Sequence, residues 1–261
     1  MFPLKRILFP VDFSERSRAA ASYAEEFASH FGAELILLYV VEPPDYNTSL
    51  ADSHRVHAEG FDLFFGHRLQ RLHVVKRLIE HGDAARKIIE CAARHQADLI
   101  MIPTQGMGMY RRLIIGSTSA KVLHDADCPV WSGVHWEHVP PPEKIHYQRI
   151  CCAVDLEPHS EKVLEWAVQF AQEYRAELTM LHAGEGEGSI LELTRLKEAA
   201  GAKAEVRIED GEPAKVVARL AAKQKADLLV IGRGAESGLL GRLVATAYSI
   251  IRLSPCPVVS V

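Results

Sequence analysis

The chain has no apolar run near the roughly 18 residues that a membrane-spanning helix needs. Lys5-Arg6 is followed only by Ile7-Leu8-Phe9 before Pro10, too short for the core of a secretory signal. No CxxC pair or other zinc spacing occurs among the five cysteines, Cys91, Cys128, Cys151, Cys152 and Cys256. An odd number of cysteines spread through apolar segments predicts buried, reduced thiols and a cytoplasmic protein. Cys151 and Cys152 would point to opposite faces of a strand, which argues against a disulfide between them. There is no basic block, and the net charge is −4, so nucleic acid is not expected as the main partner. What is present is 261 residues, 48% hydrophobic and 25% charged, enough for two hydrophobic cores and incompatible with disorder.

The two halves repeat each other. Sliding the sequence by 143 positions lays Arg6–Val40 on Arg149–Ala183 with twelve identities in thirty-five pairs, including Asp12/Asp155, Ser17/Ser160 and Ala33-Glu34-Leu35/Ala176-Glu177-Leu178. Chance would give about two. At offset 129, Gly82–Ile102 lies on Gly211–Ile231 with eight identities in twenty-one, among them Ala97-Asp98-Leu99/Ala226-Asp227-Leu228. Cys128-Pro129-Val130 matches Cys256-Pro257-Val258, and the stretch with Pro140-Pro141-Pro142 is left between the copies. The expected organisation is domain one at 1–134, a linker at 135–148 and domain two at 149–261.

Each copy alternates short β-rich runs with helical periods. Ile7–Val11, Glu34–Val41, His73–Ile79, Asp98–Ile102 and Pro129–Val134 read as strands, as do Ile150–Val154, Glu177–Ala183, Lys203–Ile208, Asp227–Ile231 and Pro257–Val261. The first helix of each copy should start after Ser14 or Pro158. Strands joined by helices run parallel with right-handed crossovers, so the fold class is α/β, with helices on both faces of each sheet. Such sheets take ligands beyond the carboxyl ends of their strands, where strand order reverses.

That crevice directs attention to Asp12 and Asp155, which end the first strands. Each carboxylate could accept hydrogen bonds from a ribose or a base, or could merely cap the following helix. After the fourth strand come Pro103-Thr104-Gln105-Gly106-Met107-Gly108, Arg111-Arg112 and Gly116-Ser117. Glycines admit phosphate oxygens close to the backbone, and a Ser at a helix N-terminus adds a hydroxyl to a dipole that favours an anion. Turns also want glycine, and Arg111 and Arg112 read equally well as phosphate clamps or as a solvated loop.

Ile-Leu-Phe-Pro-Val-Asp-Phe-Ser at 7–14, Ala-Asp-Leu-Ile-Met-Ile at 97–102, the Gly-x9-Gly-Ser from Gly106 to Gly116-Ser117 and the closing Cys-Pro-Val together resemble the universal stress protein family, twice over. The resemblance implies five-stranded parallel sheets of order 3-2-1-4-5. In the family's ATP-binding branch it implies a nucleotide held by the first-strand Asp, the backbone after strand two and a G-x2-G-x9-G-[ST] loop. On this chain those positions are Pro10, Asp12, Val40, Gly106, Gly116 and Ser117, with ATP as ligand and no metal beyond nucleotide-associated magnesium. Separate chains of the family dimerise through the fifth strand. The resemblance therefore implies that the two halves pair through their fifth strands as an internal pseudo-dimer, with higher oligomers and an unidentified protein partner left open.

The departures are specific. Pro103 stands at the pattern's first glycine, where it locks φ and offers no N–H to a phosphate. The second copy keeps Gly232 but has Ala235 and Ala245-Thr246, or Val244-Ala245 with a one-residue gap, so its site reads as degraded. Gly232-Arg233-Gly234 is no dinucleotide fingerprint, since Ser237 fills the final Gly/Ala place and the loop follows the fourth strand. In the insertion at 43–72 and just beyond it, His54, His57, His67 and His73 read as solvated histidines, with a metal site as the sharper alternative. Phe61, Phe64 and Phe65 read as a cover for the sheet or a partner-binding patch. Trp166 and Tyr174 read as packing residues, and Cys91, Cys128 and Cys256 as core. No nucleophile elbow, Ser/His/Asp order or paired carboxylates mark an enzyme. The expected function is a non-catalytic stress regulator with an adenine nucleotide in the first domain. The alternatives are an interaction scaffold without nucleotide and, third, a slow ATP hydrolase.

Overall fold

A computed structural model describes residues 4–42, 59–66, 72, 75–104, 115–133, 140–184, 187–233 and 245–261. The first half runs β1 (Arg6–Val11), α1 (Glu15–Phe31), β2 (Glu34–Val41), α2 (59–65), β3 (Val75–His81), α3 (Ala84–Arg94), β4 (Leu99–Pro103), α4 (Ser117–Asp125) and β5 (Val130–Gly133). A 3-10 turn at Pro142–Lys144 precedes β6 (Arg149–Ala153), α5 (Ser160–Tyr174), β7 (Glu177–Ala183), α6 (Glu187–Ala199), β8 (Ala204–Glu209), α7 (Pro213–Lys223), β9 (Leu228–Ile231), α8 (Ala245–Leu253) and β10 (Val258–Ser260). All ten strands form one sheet of order β3-β2-β1-β4-β5-β10-β9-β6-β7-β8. Each half has the expected 3-2-1-4-5 order, and the halves meet at an antiparallel β5–β10 pair.

Local chemistry explains the repeats. Ser14 caps α1 by accepting from Ser17 N at 3.2 Å, and Gly32 closes the helix in the left-handed region at φ 61°. The repeated Asp of Ala-Asp-Leu is a clamp at the amino ends of the strands. Asp98 Oδ2 accepts from Lys5 N and Arg6 N, both at 2.8 Å, and Asp227 Oδ2 does the same for Gln148 N and Arg149 N at 2.9 and 2.8 Å. Gly82 and Gly211 turn the chain into α3 and α7 at φ +137° and +135°, which side-chain-bearing residues rarely adopt.

Two apolar layers sandwich the sheet. One contains Phe9, Phe27, Phe61, Trp131, Cys152 and Phe170, the other Leu8, Ile100, Val122, Cys151, Val217 and Leu229. Cys151 and Cys152 thus lie on opposite faces, all five cysteines are free thiols, and Cys128 is only half-buried. Phe61, Phe64 and Phe65 are buried under the sheet's first face.

Several element ends differ from expectation. The third strand of the first half runs on to His81, because β2 pairs with it through Val41↔His81. The fourth reaches Pro103, held by Pro103↔Gly133. The first helix of the second half begins at Ser160, after Pro158 as expected, with Pro158 in a turn and His159 the N-cap residue. The segment expected to be a linker also contributes to the core: Ile145 and Tyr147 are buried in the first layer.

The joint between the halves has three parts. In the sheet, Val258↔Ser132, Val259↔Trp131 and Ser260↔Val130 are paired, and Ser132 Oγ donates to Val258 O at 3.4 Å while Ser260 Oγ donates to Val130 O at 3.3 Å. On the first face α1 meets α5: Phe27 and Phe170 lie 5.6 Å apart, His30 stacks on Tyr174 at 3.9 Å, and Tyr174 Oη donates to Glu26 at 3.0 Å. In addition, the buried Arg233 donates to the carbonyls of Ala126, at the end of α4, and of Cys128, with Ser260 O at 3.4 Å.

Two predictions follow from this joint. Removing the second half bares Val130 and Trp131 on an apolar sheet edge, so the segment 1–138 should dimerise or aggregate, and a segment that stays monomeric in sedimentation at high concentration contradicts this. Burial pushes the Glu26 carboxyl up to about 8, against the hydrogen bond from Tyr174. A carboxyl whose pKa is raised in the folded state contributes stability below its unfolded value near 4.5 and loses it as pH climbs through about 8. Burial lowers the pKa of His30, so its contribution runs the other way, and comparison with Glu26→Gln isolates the carboxyl. In urea unfolding, Glu26→Gln should gain about 2 kcal/mol relative to wild type between pH 5 and pH 8.5.

Candidate functional site

In order 3-2-1-4-5 the chain reverses direction across the sheet between β1 and β4, and a cavity of 350 Å3 lies at their carboxyl ends. Pro10, Asp12, Val40, Gly116 and Ser117 all line it, together with Pro103. Gly106, Arg111 and Arg112 lie outside the described residues, as do His54, His57, His67 and His73. Arg16, Ser17, Glu42, Thr118 and Ser119 complete the wall and were not picked out as ligand groups. Ser17 was visible as one of the identities shared with the second half, at Ser160.

Asp12 has both a structural role and a place on the crevice wall. Its Oδ1 accepts from Ser14 N at 2.9 Å and from Ser17 Oγ, which fixes the start of α1. The carboxylate also lines the crevice. Burial opposes the charge, but hydrogen bonds from Ser14 and Ser17, with Arg16 nearby, hold the carboxyl below its ordinary range. An ionised acceptor is therefore present at the end of β1.

Across the crevice, α4 begins at Gly116, whose extended backbone (φ −60°, ψ 151°) provides no side-chain cap. The first N–H groups of a helix lack intrahelical acceptors and, with the dipole, favour an anion. Ser117 and Thr118 add hydroxyls at the same place, while Ser119 Oγ donates to Pro103 O at 3.0 Å. Pro103 itself is the last residue of β4 and has no N–H to offer the crevice.

The second half has a larger crevice, 490 Å3, at the carboxyl ends of β6, β7 and β9. Asp155 repeats the pattern of Asp12, accepting from Ser160 Oγ at 2.7 Å and Glu157 N at 3.1 Å through Oδ1. Where the first half has Arg16, this one has His159, whose Nε2 lies 3.3 Å from Asp155 Oδ2. Its ring packs on Gly232: a Cβ there would meet His159 Cδ2 at 2.7 Å and Nε2 at 2.8 Å. A side chain at 232 would therefore have to displace the His159 ring. Ala235, Ser237 and Val244 lie outside the described residues, whereas Ala245 and Thr246 open α8.

No group of three or more His, Cys, Asp or Glu side chains among the described residues could hold a metal ion, and no described helix is long and apolar enough to cross a membrane.

A doubly wound parallel sheet with a crevice at its switch point defines an α/β domain of the kind that takes ligands beyond its strand ends, here present twice. The sequence profile of the universal stress protein family matches residues 3–132, 146–189 and 185–261, and the chain belongs to that family. It is 26% identical over 278 residues to a universal stress protein of Mycobacterium tuberculosis, covering 99% of this chain and 96% of that protein. A universal stress protein of Thermus aquaticus is 33% identical over 137 residues, which is 48% of this chain and 96% of the relative. Among solved structures, a universal stress protein of Archaeoglobus fulgidus superposes with a TM-score of 0.83 at 23% identity, covering 99% of this chain and 98% of that one.

Gly232→Ala should lower stability by about 1–3 kcal/mol, the cost of overpacking against a ring that Asp155 holds in place. His159→Ala should remove most of that penalty in the double variant. Additive losses in urea unfolding would show that the ring is not the obstacle.

Proposed function

We propose that this protein is a cytoplasmic stress-response regulator that binds ATP in its first crevice and does not turn it over. The observation that carries this reading is the convergence of Asp12, Val40, Gly116 and Ser117 on one cavity at the switch point. In this reading the Asp12 carboxylate accepts from the ribose or the base, and the backbone around Val40 lies along the nucleoside. The uncapped N-terminus of α4, with Ser117 and Thr118, receives the phosphates. Magnesium would arrive with the nucleotide's own phosphate oxygens. The two halves serve different ends: the first holds ligand, and the second closes the sheet edge of the first.

A second reading, an interaction scaffold without nucleotide, is favoured by Pro103. That residue removes a backbone donor where the family pattern has glycine, and its carbonyl and register are committed to Ser119 and Gly133.

Calorimetric titration separates the two. ATP should saturate at one per chain, Asp12→Ala should weaken it at least about tenfold, and incubation should release no phosphate. Pro103→Gly, by restoring an N–H to a charged oxygen, should tighten binding roughly ten- to hundred-fold. Absence of binding in wild type and in Pro103→Gly favours the scaffold, and steady phosphate release makes the protein a hydrolase.

A further inference from the structure

Pro103 leaves the first crevice without a backbone donor at the place where the family pattern has glycine, and its position is fixed: its carbonyl accepts from Ser119 Oγ at 3.0 Å and it lies in register with Gly133. A phosphate that approaches the end of β4 therefore needs its donor from elsewhere on the wall. The α1 side of the wall presents Asp12, Arg16 and Ser17. Asp12 carries the same sign of charge as a phosphate, and Ser17 Oγ already donates to Asp12 Oδ1. Glu42 is a second carboxylate, with Oε1 accepting from Ala84 N at 3.1 Å. Among the described residues of the wall, Arg16 is the one Lys, Arg or His.

The second half shows where a side chain at position 16 can go. His159 is the repeat equivalent of Arg16, and Gly232 that of Pro103. The His159 ring stands between the first-strand carboxylate and the end of the fourth strand: its Nε2 is 3.3 Å from Asp155 Oδ2, and its Cδ2 would be 2.7 Å from a Cβ added at Gly232. In the first half the corresponding residue is Arg16, half-buried, lining the same cavity as Asp12 and Pro103 and within electrostatic reach of Asp12. A guanidinium carries five N–H donors in a planar fork and keeps its charge across the ordinary pH range, so it can make two parallel bonds to a phosphate where a glycine N–H would have made one. It also offsets the charges of Asp12 and Glu42, which repel a polyanion.

We infer that Arg16 is the phosphate-selecting residue of the first crevice, taking over from the side chain of α1 the task that the family pattern gives to a backbone glycine and that Pro103 gives up. The ligand class it selects is one that carries a polyphosphate. This rests on the reading of the crevice as a nucleotide site and adds to it the group that recognises the phosphates.

The probes are inorganic triphosphate and ATP, titrated calorimetrically into the full chain. Both should bind wild type. Arg16→Gln should weaken both roughly ten- to hundred-fold while leaving the urea unfolding midpoint unchanged, and Arg16→Lys, which keeps the charge without the fork, should fall between. A merely structural role for Arg16 would not answer to the residue at 103. In the Pro103→Gly background the loss caused by Arg16→Gln should be at least about threefold smaller than in wild type, because the backbone again offers a donor. The inference is overturned if Arg16→Gln binds both probes as tightly as wild type, if its loss is undiminished in the Pro103→Gly background, or if wild type binds neither probe. Triphosphate binding without ATP binding, lost in Arg16→Gln, sustains the inference and defeats the ATP reading. ATP binding that Arg16→Gln does not weaken does the reverse, so the two readings fail separately.

Discussion

Three residues of β5 and three of β10 satisfy each other's open edge, and the rest of the molecule is arranged around that pairing. A parallel sheet that ends in an apolar strand leaves a row of N–H and C=O groups that must be paired or covered. Here each half provides the cover for the other. Because β10 runs against β5 while every other paired strand runs parallel, the carboxyl ends of the two half-sheets point in opposite directions. The two crevices therefore open at opposite ends of a single sheet. Ser132 and Ser260, equivalent by the repeat, donate across the joint in opposite senses, as a pseudo-two-fold axis requires. The helix contacts between α1 and α5 and the reach of Arg233 to the end of α4 follow once the strands are joined.

Most of this architecture was legible because it depends on pattern. Strand and helix alternate with different hydrophobic periods, and the internal repeat provides a second copy of every signal. Strand ends were less legible, since they are set by the partner: β3 is carried to His81, up to the turn at Gly82, by pairing with β2. The segment between the halves misled for a related reason. Three successive prolines mark a break in regular structure, but whether the residues after them are solvated depends on what they meet. Ile145 and Tyr147 meet α1 and α5, with Tyr147 lying 5.5 Å from Phe27 and 5.7 Å from Phe170.

The first crevice was legible to the extent that its residues sit at strand ends and helix starts. Asp12, Val40, Gly116 and Ser117 come together because the switch point gathers such positions whatever the side chains are. Arg16 and Glu42 carried no comparable signal, because a charged residue in the first turn of a helix or just beyond a strand is ordinary surface. The split role of Asp12 was equally hidden. Capping and ligand binding seemed to compete for the residue, yet the structure commits Oδ1 to Ser14 and Ser17 while the side chain still lines the crevice.

The second crevice shows why a retained glycine is weak evidence for a retained function. Positions 103 and 232 correspond in the repeat, as do 16 and 159, and the two pairs have diverged together. With His159 in place, any Cβ at 232 meets the ring below 3 Å, so glycine there suits the ring's packing whether or not a phosphate ever approaches. With Arg16 in place of the ring, the first half carries a proline there, and its carbonyl serves Ser119. Reading position 232 alone suggests a phosphate loop; reading it with position 159 shows room taken by the His159 ring.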